Sequence, residues 1–267
     1  MNKIFFTCIF SAVLSFSCTK PQDNTKKIRI GATPIPQGQI LEFIKPELQK
    51  QGYTLQIMIM EDYNLMNRAL ADGDIDANFF QHVPFLEKQI KQFGYNICSL
   101  AKVHIEPMGI YSQKIKSLAS LPEGSIVAIP SDPSNEARAL LLLEKNGLIN
   151  LPKTGNTSLT TRDIAANPKK LKFQELDAAI LSRSLPDVTI AVIPTNFALQ
   201  AGLSPSQGSL ALEGKDSPYV NIIAVRCEDL EESKLIALKS VMNSKQVYDF
   251  ILGTYKGEVI PSFSAKE

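Results

Sequence analysis

Two segments of this chain are too long and too continuously extended to be ordinary single strands. They are residues 95–112, "YNICSLAKVHIEPMGIYS", and residues 217–226, "SPYVNIIAVR". Strands in globular proteins centre on about 5–6 residues. An extended run that outlasts one sheet can leave one folded body and enter another. Alternating strands and helices flank both segments, so the pattern predicts two α/β lobes joined by two crossover strands. Residues 28–105 plus 225–267 are expected to form the first lobe, with the C-terminal helices returning to it, and residues 106–224 the second. Such a molecule has a cleft between its lobes, and interfaces between domains are preferred ligand sites.

The alternation is legible element by element. "KIRIGATPIP" reads as a strand followed by a turn rich in Gly and Pro. Ile40, Leu41, Ile44 and Leu48 recur at helical spacing, with a kink expected at Pro46 and a stop at Gly52. "YTLQIMIME" and "IDANFFQ" read as buried strands, and Pro84 to Phe93 as a helix. Further on, "GSIVAIP" and "TIAVIP" are strands. "SDPSNEARALLLLEKNG" is a helix with Asp132 and Ser134 as cap candidates and Gly147 as its stop. Asp229–Asn243 and Lys245–Tyr255 are expected as terminal helices. In open α/β sheets the ligand lies off the carboxyl ends of the strands. That rule selects Phe80-Gln81-His82, the turn Ser131 to Asn135, and Thr195-Asn196.

The N-terminus has the layout of a signal peptide over residues 1–17: Lys3, then the apolar run "IFFTCIFSAVLSF". "LSFSC" reads as a lipobox, with Cys18 as the acylated residue, and residues 18–27 as a polar tether. The expected location is therefore the cell envelope, lipid-anchored to a bacterial membrane and facing the periplasm or the exterior. A net charge of +1 gives no electrostatic case for nucleic acid. No Cys/His spacing suggests a metal site, and no cofactor is expected. Cys98 and Cys227 are read as buried free thiols, with a disulfide as the alternative.

Several blocks carry a resemblance. "EDYNLMNRALADGDIDANFFQHVPFL", "VHIEPMGIYS", "DPSNEARALLLLEKNGLI" and "SPYVNIIAVR" are similar to the NlpA family, the methionine-binding lipoproteins of ABC importers. The likeness runs from about Lys27 to Phe263. It implies a two-lobe periplasmic-binding-protein fold (type II-like), a lipid anchor and free methionine as ligand; a monomer is expected. It also implies delivery to a membrane permease with a cytoplasmic ATPase. Alternatives of the same template are a Gly-Met dipeptide, methionine sulfoxide or cystine; a different class is a surface lipoprotein with an adhesion role.

The site residues follow from the strand ends and from the resemblance together. Side chains alternate along a strand, so Phe80 and His82 share a face aimed at the cleft while Phe79 points into the core. Phe85 and Tyr63 are placed to complete an aromatic clamp, which suits a thioether. Phe79 and Phe85 stand where the family usually has Tyr. Arg138, with Asn135 beside it at the start of a helix, is the candidate for the ligand carboxylate. By resemblance Asn221 holds the ligand backbone, and Asn196 matches a family asparagine, although Pro194 replaces another. Glu106 either meets the ammonium group or stiffens the hinge with Pro107. His104 is read as structural, and Asp72, Asp74 and Asp76 as a solvated turn. No "GxSxG" and no phosphate-binding loop occurs, so an enzyme is not expected.

Overall fold

The computed structural model describes residues 24–153 and 158–264. The signal peptide and Cys18 lie outside the described residues. The tether is shorter than expected at its inner end: Asn24–Lys26 forms a 3-10 turn and Lys27 already belongs to the first strand.

In chain order the elements are β1 (Lys27–Ala32), α1 (Gln39–Lys50), β2 (Thr54–Ile59), α2 (Tyr63–Ala71), β3 (Ala77–His82), α3 (Val83–Phe93), β4 (Ile97–Ile105), β5 (Gly109–Tyr111), β6 (Ile126–Pro130) and α4 (Pro133–Lys145). They continue with β7 (Lys172–Leu176), β8 (Ile190–Ile193), α5 (Thr195–Gln200), α6 (Pro205–Gly208), β9 (Ala211–Leu212), β10 (Val220–Arg226), α7 (Ser233–Met242), α8 (Lys245–Tyr255) and β11 (Ile260–Pro261). Two mixed sheets result. The first has the order β11-β4-β10-β3-β1-β2 and the second β7-β6-β8-β5-β9. Strands β1, β2 and β3 pair in parallel, and β10 runs antiparallel between β3 and β4 within the first sheet.

The run 95–112 changes sheets as expected: β4 lies in the first, β5 in the second, and Glu106 to Met108 pass between them. The second crossing differs. Strand β10 belongs wholly to the first sheet, paired with β3 on one side and β4 on the other, so residues 213–219 make the return. The expected change of lobe at residue 225 therefore falls several residues earlier. An extended sequence marks a strand but does not say which sheet receives it.

Each lobe buries its own core. Leu235, Leu238 and Met242 of α7 and Val247 and Ile251 of α8 pack against Ile28 and Ile30 of β1 and Ile40, Leu41 and Leu48 of α1. Met108, Val127, Ile129, Leu140, Leu143 and Val192 form the principal cluster of the second lobe.

Two expectations are corrected here. Cys98 and Cys227 form a disulfide, with Cα atoms 5.0 Å apart, rather than remaining free thiols. In the β4–β10 ladder Cys98 faces Val225 and Ile97 faces Arg226, and the Cys227 amide donates to the Asn96 carbonyl at 3.1 Å. That register brings together residues 129 apart in sequence. Asp76 is the second. Asp72 and Asp74 are exposed, as a solvated turn requires, but Asp76 is buried. It accepts from the Arg29 backbone amide at 2.7 Å and from Arg29 Nη2 at 2.8 Å, and Lys234 Nζ lies 3.3 Å away. Burial alone raises its pKa. The Arg29 hydrogen bonds, helped by the positive charges of Lys234 and Arg29, outweigh that and hold the carboxyl below the ordinary aspartate value.

Candidate functional site

The carboxyl end of β3 supplies the first wall. Alternation places Phe79 in the first-lobe core, fully buried against β1 and β10, while Phe80 and His82 line the space between the lobes. His82 also opens α3: the Phe85 amide donates to its Nδ1 at 3.1 Å, so the ring both caps the helix and fixes Phe85 beside it. Tyr63 opens α2 behind the capping Asp62. Its ring lies 5.3 Å from Phe80 and 5.8 Å from Phe85, and Phe80 and Phe85 meet edge-on at 5.5 Å. Met66 is buried in the same cluster.

The second lobe supplies the facing wall. Asp132 caps α4, accepting from the Asn135 amide at 2.9 Å, which brings Asn135 and Arg138 onto the cavity side of the first turns. Asn196, in the first turn of α5, stands opposite Tyr63 and accepts from its hydroxyl at 2.9 Å. Glu106 comes from the first crossing and Asn221 from β10, where Asn221 lies between His82 on β3 and His104 on β4. All nine expected side chains, Tyr63, Phe80, His82, Phe85, Glu106, Asn135, Arg138, Asn196 and Asn221, border one narrow cavity.

A family profile described as NlpA lipoprotein matches residues 28–263. The chain belongs to the NlpA lipoprotein family. The D-methionine-binding lipoprotein MetQ of Salmonella typhi is 40% identical over 246 residues, covering 91% of each chain. Among solved structures, an ABC transporter periplasmic substrate-binding protein from Coxiella burnetii is 49% identical, with a TM-score of 0.83 over 88% of this chain and 100% of that one. A nutrient binding protein from Burkholderia cenocepacia bound to methionine is 45% identical, with a TM-score of 0.86 and the same coverage. The family is one of substrate-binding transport proteins, and this NlpA lipoprotein is not an enzyme.

The electrostatics of this NlpA-family site divide it in two. Its aromatic end is apolar, and the one hydroxyl there, on Tyr63, is committed to Asn196. The polar end holds several groups with unspent capacity. Asn196 Nδ2 is buried and has no hydrogen-bond partner among the described residues. Glu106 is buried; its Oε1 receives Gln37 Nε2 and His104 Nε2, each at 2.6 Å, and its carboxylate meets no lysine or arginine among the described residues. Asn135, by contrast, is already engaged, donating to Asp132 and accepting from His82 Nε2 at 3.0 Å. It bridges the lobes as well as lining the cavity. His82 therefore carries its proton on Nε2 and stays neutral: burial first, and the Arg138 charge second, push its pKa down to about 3.

Several residues of the site escaped the sequence reading. Gln37 links Glu106 to Thr33 and reaches Asn221 Oδ1 at 3.4 Å. It follows β1, so the strand-end rule applied to every strand would have found it. Thr195, which the strand-end rule did select together with Asn196, borders the cavity and donates to the Pro107 carbonyl. Glu213 and Tyr219 both lie against Arg138; Glu213 sits in a polar segment with no sequence signal of its own, and Tyr219 sits in the extended run 217–226 without having been singled out from it.

Proposed function

We propose that this chain is the substrate-binding lipoprotein of an ABC importer, capturing methionine between its lobes and delivering it to a membrane permease driven by a cytoplasmic ATPase. The observation that carries this reading is the joining of two opposite chemistries in one small buried cavity. The rings of Tyr63, Phe80 and Phe85 give the ligand side chain an apolar, polarisable surround, where each sulfur–aromatic contact contributes about 0.3–1.5 kcal/mol. At the other end Arg138 and the unpartnered amide of Asn196 suit a carboxylate, Glu106 suits an ammonium group, and Asn221 holds the ligand backbone. The methionine named with the Burkholderia cenocepacia structure supports the choice of ligand. Cys18 is the proposed point of lipid attachment to the envelope. Among the described residues no helix is long and apolar enough to cross a membrane.

Titration calorimetry tests the reading. Methionine should bind one site per chain. Phe80→Ala should weaken it by about 1–3 kcal/mol through lost burial. Arg138→Ala should cost about 2–5 kcal/mol, since it leaves a carboxylate without its partner. Methionine amide should bind poorly. No heat with methionine, together with another compound released on denaturation and identified by mass spectrometry, would overturn the choice of ligand.

A further inference from the structure

Arg138 is 4% exposed and enters the cavity with most of its donors already committed. Its Nε donates to both carboxylate oxygens of Glu213 at 3.2 Å. Its Nη2 donates to Glu213 Oε2 and, at 2.7 Å, to the Glu106 carbonyl. One face of the guanidinium is covered by the Tyr219 ring, 4.3 Å from Cζ to the ring centroid. Only Nη1 makes no hydrogen bond among the described residues. Glu213 is itself held in place, because the Met108 amide donates to Oε2 at 3.2 Å and the Glu213 amide donates to the Met108 carbonyl at 2.9 Å. Glu213 belongs to the second crossing between the lobes, and Glu106 and Met108 to the first. The two crossings thus meet around one guanidinium.

We propose that Glu213 is the positioning residue of the carboxylate subsite: it acts through Arg138, turning the Nε/Nη2 edge away and presenting Nη1 to the cavity. This rests on the methionine reading given above. A guanidinium free of Glu213 could offer any edge to any anion. With Glu213 in place a single orientation is left, and the ligand carboxylate must come to it. The alternative, that Glu213 merely competes with the ligand for Arg138, makes the opposite prediction, because removing a competing negative charge strengthens binding of an anion.

The decisive variant is Glu213→Gln, which keeps the shape, halves the acceptors and sets an amide N–H group against the guanidinium. Methionine and methionine amide are titrated into wild type and variant, the amide by competition where it is weak. The expected result is a loss of about tenfold or more for methionine with less than a twofold change for the amide. Glu213→Asp, which keeps the carboxylate on a shorter arm, should recover part of the loss. It carries the same comparison if the Gln variant does not fold. Equal losses for both ligands would assign Glu213 a general structural role and overturn the proposal. So would tighter methionine binding, or no change. Failure of wild type to bind methionine would instead remove the reading beneath it, and the two failures are distinguished in the wild-type titration alone.

Discussion

His82 does three things with one ring. It borders the cavity, caps α3 by accepting the Phe85 amide, and donates across the cleft to Asn135. The first acceptor role requires an unprotonated Nδ1, so the native ring is neutral, and its pKa lies near 3 against about 6.5 in the unfolded chain. The sign follows from proton binding. Between those values the unfolded state takes up a proton that the native state refuses, so stability is full above about pH 6.5 and declines as the pH falls toward 3. At pH 5 the loss is about 2 kcal/mol relative to neutral pH. Chemical denaturation at pH 7 and pH 5 should show that loss in wild type and a smaller one in His82→Gln. Equal slopes in both would mean that the ring is free to protonate in the native state. Much of this residue's place was legible beforehand, because strand alternation alone separates Phe80 and His82 from Phe79 and the strand-end rule points them at the cleft. The partner of His104 was not. Its Nε2 meets Glu106 Oε1 two residues on, around the corner where β4 ends; alternation puts such residues on one face but does not say that they bond once the strand has ended.

At the scale of elements, the disulfide joins β4 to the end of β10, the two strands that lead toward the crossings. A crosslink between residues 129 apart removes much of the freedom of the unfolded chain. The double variant Cys98→Ala, Cys227→Ala should lose about 2–5 kcal/mol of stability. Because the bond sits at the end of those strands far from Asn221 and Glu106, methionine affinity measured on the folded variant should be unchanged. A large drop in affinity at constant stability would contradict that separation. The elements themselves were readable because each carries its own period and punctuation: Gly94 ends α3 in a left-handed conformation, and the buried positions of α1 recur at helical spacing. Sheet membership was not readable. Val220–Arg226 is extended whichever sheet it joins, and only its pairing with both β3 and β4 decides the matter. The same limit hid the cysteine pair, which depends on register between strands rather than on anything local.

For the whole molecule, the cavity exists only because two lobes face each other. Tyr63 to Asn196, His82 to Asn135 and Lys88 to Ser158 all bond across the cleft. A ligand that binds only this closed arrangement stabilises it by mass action, by about 2.7 kcal/mol at a hundred times its dissociation constant. Tethering is a separate property. Cys18→Ala should leave methionine binding intact and move the protein from the membrane fraction to the soluble one, or arrest its processing. A variant processed and membrane-bound like wild type would remove the lipid anchor from the account.

The position of β10 between β3 and β4 also sets an order of events as the chain emerges N-terminus first. The second lobe is contiguous, from β5 to β9, and its core is complete once residue 212 has been made. The first sheet is not. Strands β3 and β4 are never neighbours, and each keeps an unpaired edge until residues 220–226 arrive. Until then the emerging chain presents the open edges of β3 and β4, the kind of surface that recruits other strands. The lobe begun first is therefore finished last, and a chain that stops short of Val220 retains the means to build its second lobe but not its first.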